Sequence, residues 1–204
     1  MILELLKNRY SARNFLDRPI PEEIIREMLE VARLSPSGGN EQAWAFGVIT
    51  DRSVIEKIAR LSYGNQEWMR KAPLIIALCT RITSQPMSED LRFPDLVTAN
   101  EEYLVFLCME EHQVKIPGTH MAIVALEHGI QCTWVSHYKV VEVAKVLMLP
   151  ARYLPSNLLV FGYPKGENPT KDGIPRKRKL KDIVFYNTGE LLPPTDQVPH
   201  WMWE

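Results

Sequence analysis

Cysteine is scarce in this chain: Cys79, Cys108 and Cys132 are all it has, and no two form a CxxC pair. An odd, sparse set in apolar surroundings reads as reduced core thiols, not as a disulfide framework. A surplus of charge is also missing. The formal net charge is −1, which gives no general attraction to nucleic acid or to a membrane surface. No apolar run reaches membrane-spanning length, and Glu4 interrupts the short N-terminal apolar stretch, so neither a span nor a signal peptide is expected. The expectation is a soluble, cytoplasmic protein without nucleic-acid or membrane partners.

Chemical machinery is equally sparse. There is no G-x-x-x-x-G-K-[ST] phosphate loop, no G-x-G-x-x-G after a strand, and no G-x-S-x-G elbow. The five histidines, at 112, 120, 128, 137 and 200, match no zinc spacing, so no metal site is expected. No set of side chains reads as a catalytic team. That leaves a cofactor to carry the chemistry, or no chemistry at all.

What is present is a chain of 204 residues, 46% apolar and 24% charged, sized for one sizeable core. Ile2, Leu3, Leu5 and Leu6 suggest a short first helix. PEEIIREMLEVARL (21–34) is amphipathic, with Pro21 and two glutamates suited to its first turn and Pro36 disfavouring its continuation. AFGVIT (45–50) reads as a strand. Ser53 and Glu56 form an S-x-x-E capping box for a following helix. PLIIALC (73–79) reads as a buried strand.

Residues 81–118 are broken by Pro86, Pro94 and Pro117, although EEYLVFLCMEEH within them looks helical. Beyond lie a helix ended by Gly129, a strand IQCTWVS, a helix VVEVAKVLM and a strand SNLLVFGYP. Alternating helices and strands predict an α/β layered domain. The proline-broken tail ends in Trp201, Met202 and Trp203, and is expected to dock on a partner subunit.

Three stretches hold unusual chemistry. RYSAR (9–13) sets two guanidinium groups about the Ser11 hydroxyl, a set suited to an anionic ligand. SPSGGNEQAW (35–44) puts two glycines beside the amides of Asn40 and Gln42, which allows close backbone approach to a ligand. IPRKRKLKDI (174–183) carries five basic residues in ten positions. Taken singly, each cationic run suits a solvated surface as well as a site.

In that order, and with GIQCTW between, these motifs resemble the nitroreductase-type flavoprotein family, from about residue 4 to 186. The resemblance implies a single domain over 1–204, with 81–118 a variable lid region and 187–204 a C-terminal arm. Its fold would be α/β (α+β), a three-layer sandwich with helices around a mixed, mainly antiparallel sheet, forming an intertwined homodimer with flavin sites at the interface. The implied cofactor is FMN and the implied reductant NAD(P)H, with a small-molecule acceptor such as a nitroaromatic or quinone.

Carried over, Arg9 and Ser11 would contact the FMN phosphate and ribityl chain, with Tyr10 between them, and Arg13 would sit near the N1/C2 side of the ring. Pro36, Ser37, Gly38, Asn40 and Gln42 would come from the other subunit. Asn65 would reach the ring or ribityl chain. Trp134, Val135 and Ser136 would lie along the flavin, and Arg176 or Arg178 would close the phosphate end. No catalytic side chain is implied, since flavin N5 carries the reaction. Three positions depart from the family's pattern: Ala43 for proline, Ser136-His137-Tyr138 for glycine-rich sequence, and His120 for a small amide. Alternative readings are a specialised flavoenzyme of the same fold, acting in dehydrogenation, dehalogenation or flavin fragmentation, and a non-catalytic flavin-binding sensor or carrier.

Overall fold

The computed structural model describes residues 2–64, 66–82 and 101–166, with side chains in the long helix from residue 111 onward. Met1–Glu167 forms one compact unit and Asn168–Glu204 a second. The second unit, Asn65 and residues 83–100 of the expected lid region lie outside the described residues.

Four strands build the sheet: β1 (Trp44–Ile49), β2 (Leu74–Arg81), β3 (Gln131–Val135) and β4 (Tyr153–Gly162), in the spatial order β1-β2-β4-β3. All three described pairings are antiparallel, so the described part of the expected mixed sheet contains no parallel pair. The architecture is α+β. β2 is buried along nearly its whole length and supplies both layers. Leu74, Ile76 and Leu78 face α2 (Glu22–Arg33) and α4 (Glu101–Glu127), where Met28, Ala32, Val114, Met121 and Ala125 join them. Ile75, Ala77 and Cys79 face α3 (Arg52–Leu61) and α5 (Val140–Val146), among Ile55, Ile58, Met69 and Val143. The period-two alternation of one strand thus creates a three-layer sandwich.

Three local readings needed correction. The N-cap of α3 is Asp51, not Ser53: its carboxylate accepts the N–H groups of Ser53 (2.7 Å) and Val54 (3.2 Å). Pro117 does not end a helix, because α4 runs through it for 27 residues. Burial of Val114, Met121, Ala122 and Ala125 on either side of Pro117 outweighs the ~3 kcal/mol that an internal proline costs. β4 begins at Tyr153, before Pro155. The β3 pairing stops at Leu158, so Pro155 withholds no hydrogen bond from that ladder, and its carbonyl instead accepts the Tyr138 hydroxyl at 2.7 Å.

α1 (Ile2–Asn8) buries none of its side chains and packs against α4. Ile2, Leu3 and Leu6 are exposed along it, as are Leu34 after α2 and Ile116 on α4.

Candidate functional site

The RYSAR segment runs in extended form against β3. The Tyr10 N–H donates to Oε1 of Gln131 at 3.1 Å, and the Thr133 hydroxyl donates to the Ala12 carbonyl at 2.6 Å. Further on, the Leu16 N–H donates to the Tyr163 carbonyl and the Lys165 N–H to the Asn14 carbonyl. Extended backbone alternates its side chains. Tyr10, Ala12 and Phe15 enter the core, while Ser11 and Arg13 stay exposed and Arg9 is half-buried. The side chain of Tyr10 therefore packs in the core, and its N–H is already taken.

Arg9 lies close enough to Cys132 for its cation to act against the burial that pushes that thiol up. Arg13 stands over the Trp68 ring, 5.9 Å from its centroid. Among the described residues, the side chains of Arg9, Ser11 and Arg13 make no hydrogen bond or ion pair. Two guanidinium groups and a hydroxyl without hydrogen-bond partners form a donor set of the kind that can bind an anion.

Of the other expected residues, Trp134 and Val135 lie on β3 and Ser136 just beyond it, and the Trp134 ring turns toward Gly118 of α4 and Leu78. Trp134 on β3 is 36% exposed, Val135 is buried in the core cluster, and Ser136 is exposed. Only the backbone of Val135 can therefore serve a ligand. The chain beyond β3 is tied to the segment before Asn65: Tyr63 N–H donates to the His137 carbonyl, and the Tyr63 and His137 rings lie 4.5 Å apart. Gln66 donates to the Tyr63 carbonyl and accepts the Trp68 indole N–H at 2.6 Å. A continuous chain of contacts thus leads from His137 through Tyr63, Gln66 and Trp68 to Arg13.

The PSGGN loop lies elsewhere. It leads into β1, the opposite edge strand, with β2 and β4 between it and β3. Three strand spacings make about 14 Å. Here the backbone is bent sharply: Gly38–Asn40 is a 3-10 turn, and Gly39 (φ 55), Asn40 (φ 57) and Gln42 (φ 49) are all left-handed. Two non-glycine residues in that region store strain, which functional loops often hold. The loop is moored to α4. Gly38 N–H donates to Oε1 of Gln113 at 2.7 Å, and the Ser35 hydroxyl lies 2.7 Å from Nδ1 of His120. Ser37 Oγ accepts the Gln42 N–H at 3.0 Å, and the Gln42 side-chain amide donates to Asn40 at 3.3 Å. Pro36 is exposed at the start of the loop.

The segment bearing Arg9, Ser11 and Arg13 thus lies along β3, which carries Trp134 and Val135, whereas residues 36–42 lead into β1, with β2 and β4 between the two strands. Arg176 and Arg178 lie outside the described residues. Sequence reading missed the supports: Gln131 and Thr133 under the strip, Trp68 beneath Arg13, and Gln113 and His120 behind the loop. Gln131 and Thr133 left one signal, as buried polar residues in an otherwise apolar strand. Among the described residues no group of His, Cys, Asp and Glu could hold a metal, and no helix is long and apolar enough to cross a membrane.

This three-layer fold is shared with solved nitroreductase family proteins. A nitroreductase family protein of Clostridium difficile 630 matches it with a TM-score of 0.72 at 26% identity, over 92% of this chain and 98% of that one. The sequence agrees: residues 6–67, which hold both motifs, match the model of the nitroreductase family. Over 173 residues the chain is 28% identical to a putative NADH dehydrogenase/NAD(P)H nitroreductase of Methanothermobacter thermautotrophicus, covering 84% of this chain and 81% of that protein. It is 22% identical over 191 residues to the FMN reductase [NAD(P)H] of Bacillus subtilis, covering 93% and 76%. The chain is thus nitroreductase-like in fold, and its N-terminal third carries that family's sequence signature.

Proposed function

We propose that this chain is an FMN-dependent NAD(P)H oxidoreductase that works as a homodimer. The observation that carries the reading is the unpartnered set of Arg9, Ser11 and Arg13, which fits the phosphate and pyrimidine ends of a flavin mononucleotide. Arg9 and Ser11 would hold the phosphate and ribityl chain, with Arg176 or Arg178 closing that end. Arg13, steadied over Trp68, would place its cation where negative charge gathers during reduction. The backbone from Trp134 to Ser136, and Asn65, would line the ring. Pro36, Ser37, Gly38, Asn40 and Gln42 would reach the same cofactor from a second copy of the chain, since within one copy they lie at the far edge of the sheet.

The apolar residues left exposed on α1, with Leu34 and Ile116, supply surface for that second copy. The chemistry the bound group supplies is hydride transfer from NAD(P)H and onward reduction of an acceptor such as a nitroaromatic or quinone, in ping-pong order. Under this reading the chain's own work is to bind, orient and polarise. No side chain has to move a proton, which accounts for the missing catalytic team. A cytoplasmic location fits the free buried thiols Cys79 and Cys132 and the nicotinamide reductant.

The test is direct. Protein purified with added FMN should be yellow, release FMN on denaturation, and bleach anaerobically with NADH or NADPH. Protein that stays colourless after incubation with FMN refutes the reading, and a yellow protein that neither nicotinamide bleaches leaves a flavin carrier.

A further inference from the structure

A second cationic feature lies outside the flavin reading. A cleft of about 390 Å³ is lined by Asn14, Phe15, Leu16, Asp17, Arg52, Arg70, Lys71 and Lys165. Four of these are cations and one is an acid. We propose that this cleft binds the phosphate group of a small molecule. Its volume is within the range of small-ligand sites.

The walls are built, not incidental. The Arg52 guanidinium donates to the carbonyls of Arg70 (2.7 Å) and Ala72 (3.3 Å) and to the Asp17 carboxylate (3.1 Å), fastening the start of α3 to the chain before β2. The Lys165 N–H donates to the Asn14 carbonyl at 2.9 Å, which fixes the opposite wall. Three of the cations are then left with donors to spare. Arg70 uses Nη1 on Glu67 at 2.7 Å, but its Nε is buried with no hydrogen-bond partner. Lys71 and Lys165 are exposed and make no ion pair with a described residue. Asp17 is 97% exposed on its side chain and offsets little of the local positive charge. The accessible edge of the Arg70 guanidinium beside two free ammonium groups is a set that suits a phosphate.

Two sources could bring that phosphate: free inorganic phosphate, or a nucleotide phosphorylated on its ribose. Phe15 lines the cleft and its ring lies 6.2 Å from Trp68, the ring under Arg13, so the cleft backs on to the proposed flavin side.

Isothermal titration at low ionic strength, on protein saturated with FMN, tests this with inorganic phosphate, adenosine 2′-phosphate and adenosine 5′-phosphate. Saturable binding of any of them, weakened about tenfold or more by Lys71→Ala/Lys165→Ala, supports the site. Both lysines are exposed, and circular dichroism checks that the double variant is folded. Tighter binding of the 2′-phosphate identifies a nucleotide, and equal binding identifies free phosphate. No binding, or binding untouched by the double variant, overturns the proposal. So does an equal loss in Arg9→Ala, which would put the phosphate on the RYSAR strip. The same titrations without FMN keep this outcome separate from any failure of the flavin reading.

Discussion

Gly38 donates its backbone N–H to the Gln113 side chain at 2.7 Å, across 75 residues of sequence. That bond holds a strained loop against α4, with three left-handed residues just beyond it. Gln113→Ala should free the loop while leaving the sheet intact. FMN affinity is expected to fall roughly three- to tenfold, the scale of one lost hydrogen bond, with little change in Tm. Fluorescence titration with FMN and a thermal melt check the two halves. A large drop in Tm would make Gln113 a fold residue instead.

Arg13 is expected to matter to the flavin and not to the fold. Arg13→Ala should weaken FMN binding roughly ten- to a hundredfold and slow anaerobic reduction, whereas Lys57→Ala, on the exposed face of α3, should do neither. Equal effects from the two variants would remove Arg13 from the site.

Gly118 lets α4 lie close on the sheet. A Cβ there would come 2.5 Å from a Leu78 methyl and 3.0 Å from the Trp134 ring. Gly118→Ala should cost about 1–3 kcal/mol by denaturant unfolding, the usual range for overpacking. It should also shift tryptophan fluorescence, because the half-exposed Trp134 ring must move. A neutral result would mean that the helix can retreat freely.

Both described cysteines should be unreactive in the folded protein. Burial pushes the Cys79 thiol up to about 12 and raises that of Cys132 as well. Near neutral pH the nucleophilic thiolate is then almost absent. Iodoacetamide at pH 8 should leave the peptides containing Cys79 and Cys132 unmodified by mass spectrometry until denaturant is added.

The cap of α3 predicts an acid sensitivity. Hydrogen bonds from the Ser53 hydroxyl and from the Val54 and Ser53 N–H groups hold the Asp51 carboxyl below its ordinary value. Its contribution is therefore present above the unfolded pKa and is lost as pH falls through the lower, folded one. Asp51→Asn keeps a capping oxygen but cannot titrate. Melting curves between pH 7 and pH 3 should show a smaller acid-dependent fall in Tm for Asp51→Asn than for the parent.

The elements were legible where local chemistry decides them. The amphipathic spacing of Ile24, Met28 and Val31 placed α2, and the apolar run from Leu74 placed β2. Reading failed where a distant contact overrides a local rule. Pro117 reads as a breaker, yet burial on both flanks carries the helix through it. The strand read over SNLLVFGYP begins earlier, at Tyr153, and takes in Pro155 where β4 has no β3 neighbour. Ser53 makes a good capping box, but the helix begins earlier, and Asp51 caps it by accepting the N–H groups of Ser53 and Val54. The site divides in the same way. RYSAR and PSGGN could be picked out by composition, but Gln131, Trp68 and Gln113 act over long sequence distances and leave almost no local trace.

The strand order has one more consequence. In the proposed homodimer each chain would give its basic strip to one cofactor and its loop to the other. Two differently damaged chains should then rescue each other. Pairing Arg13→Ala with a loop variant such as Gly39→Val gives a hybrid in which one site has both lesions and the other has none. Such hybrids should recover about half the flavin capacity of the undamaged protein, although each parent alone is defective.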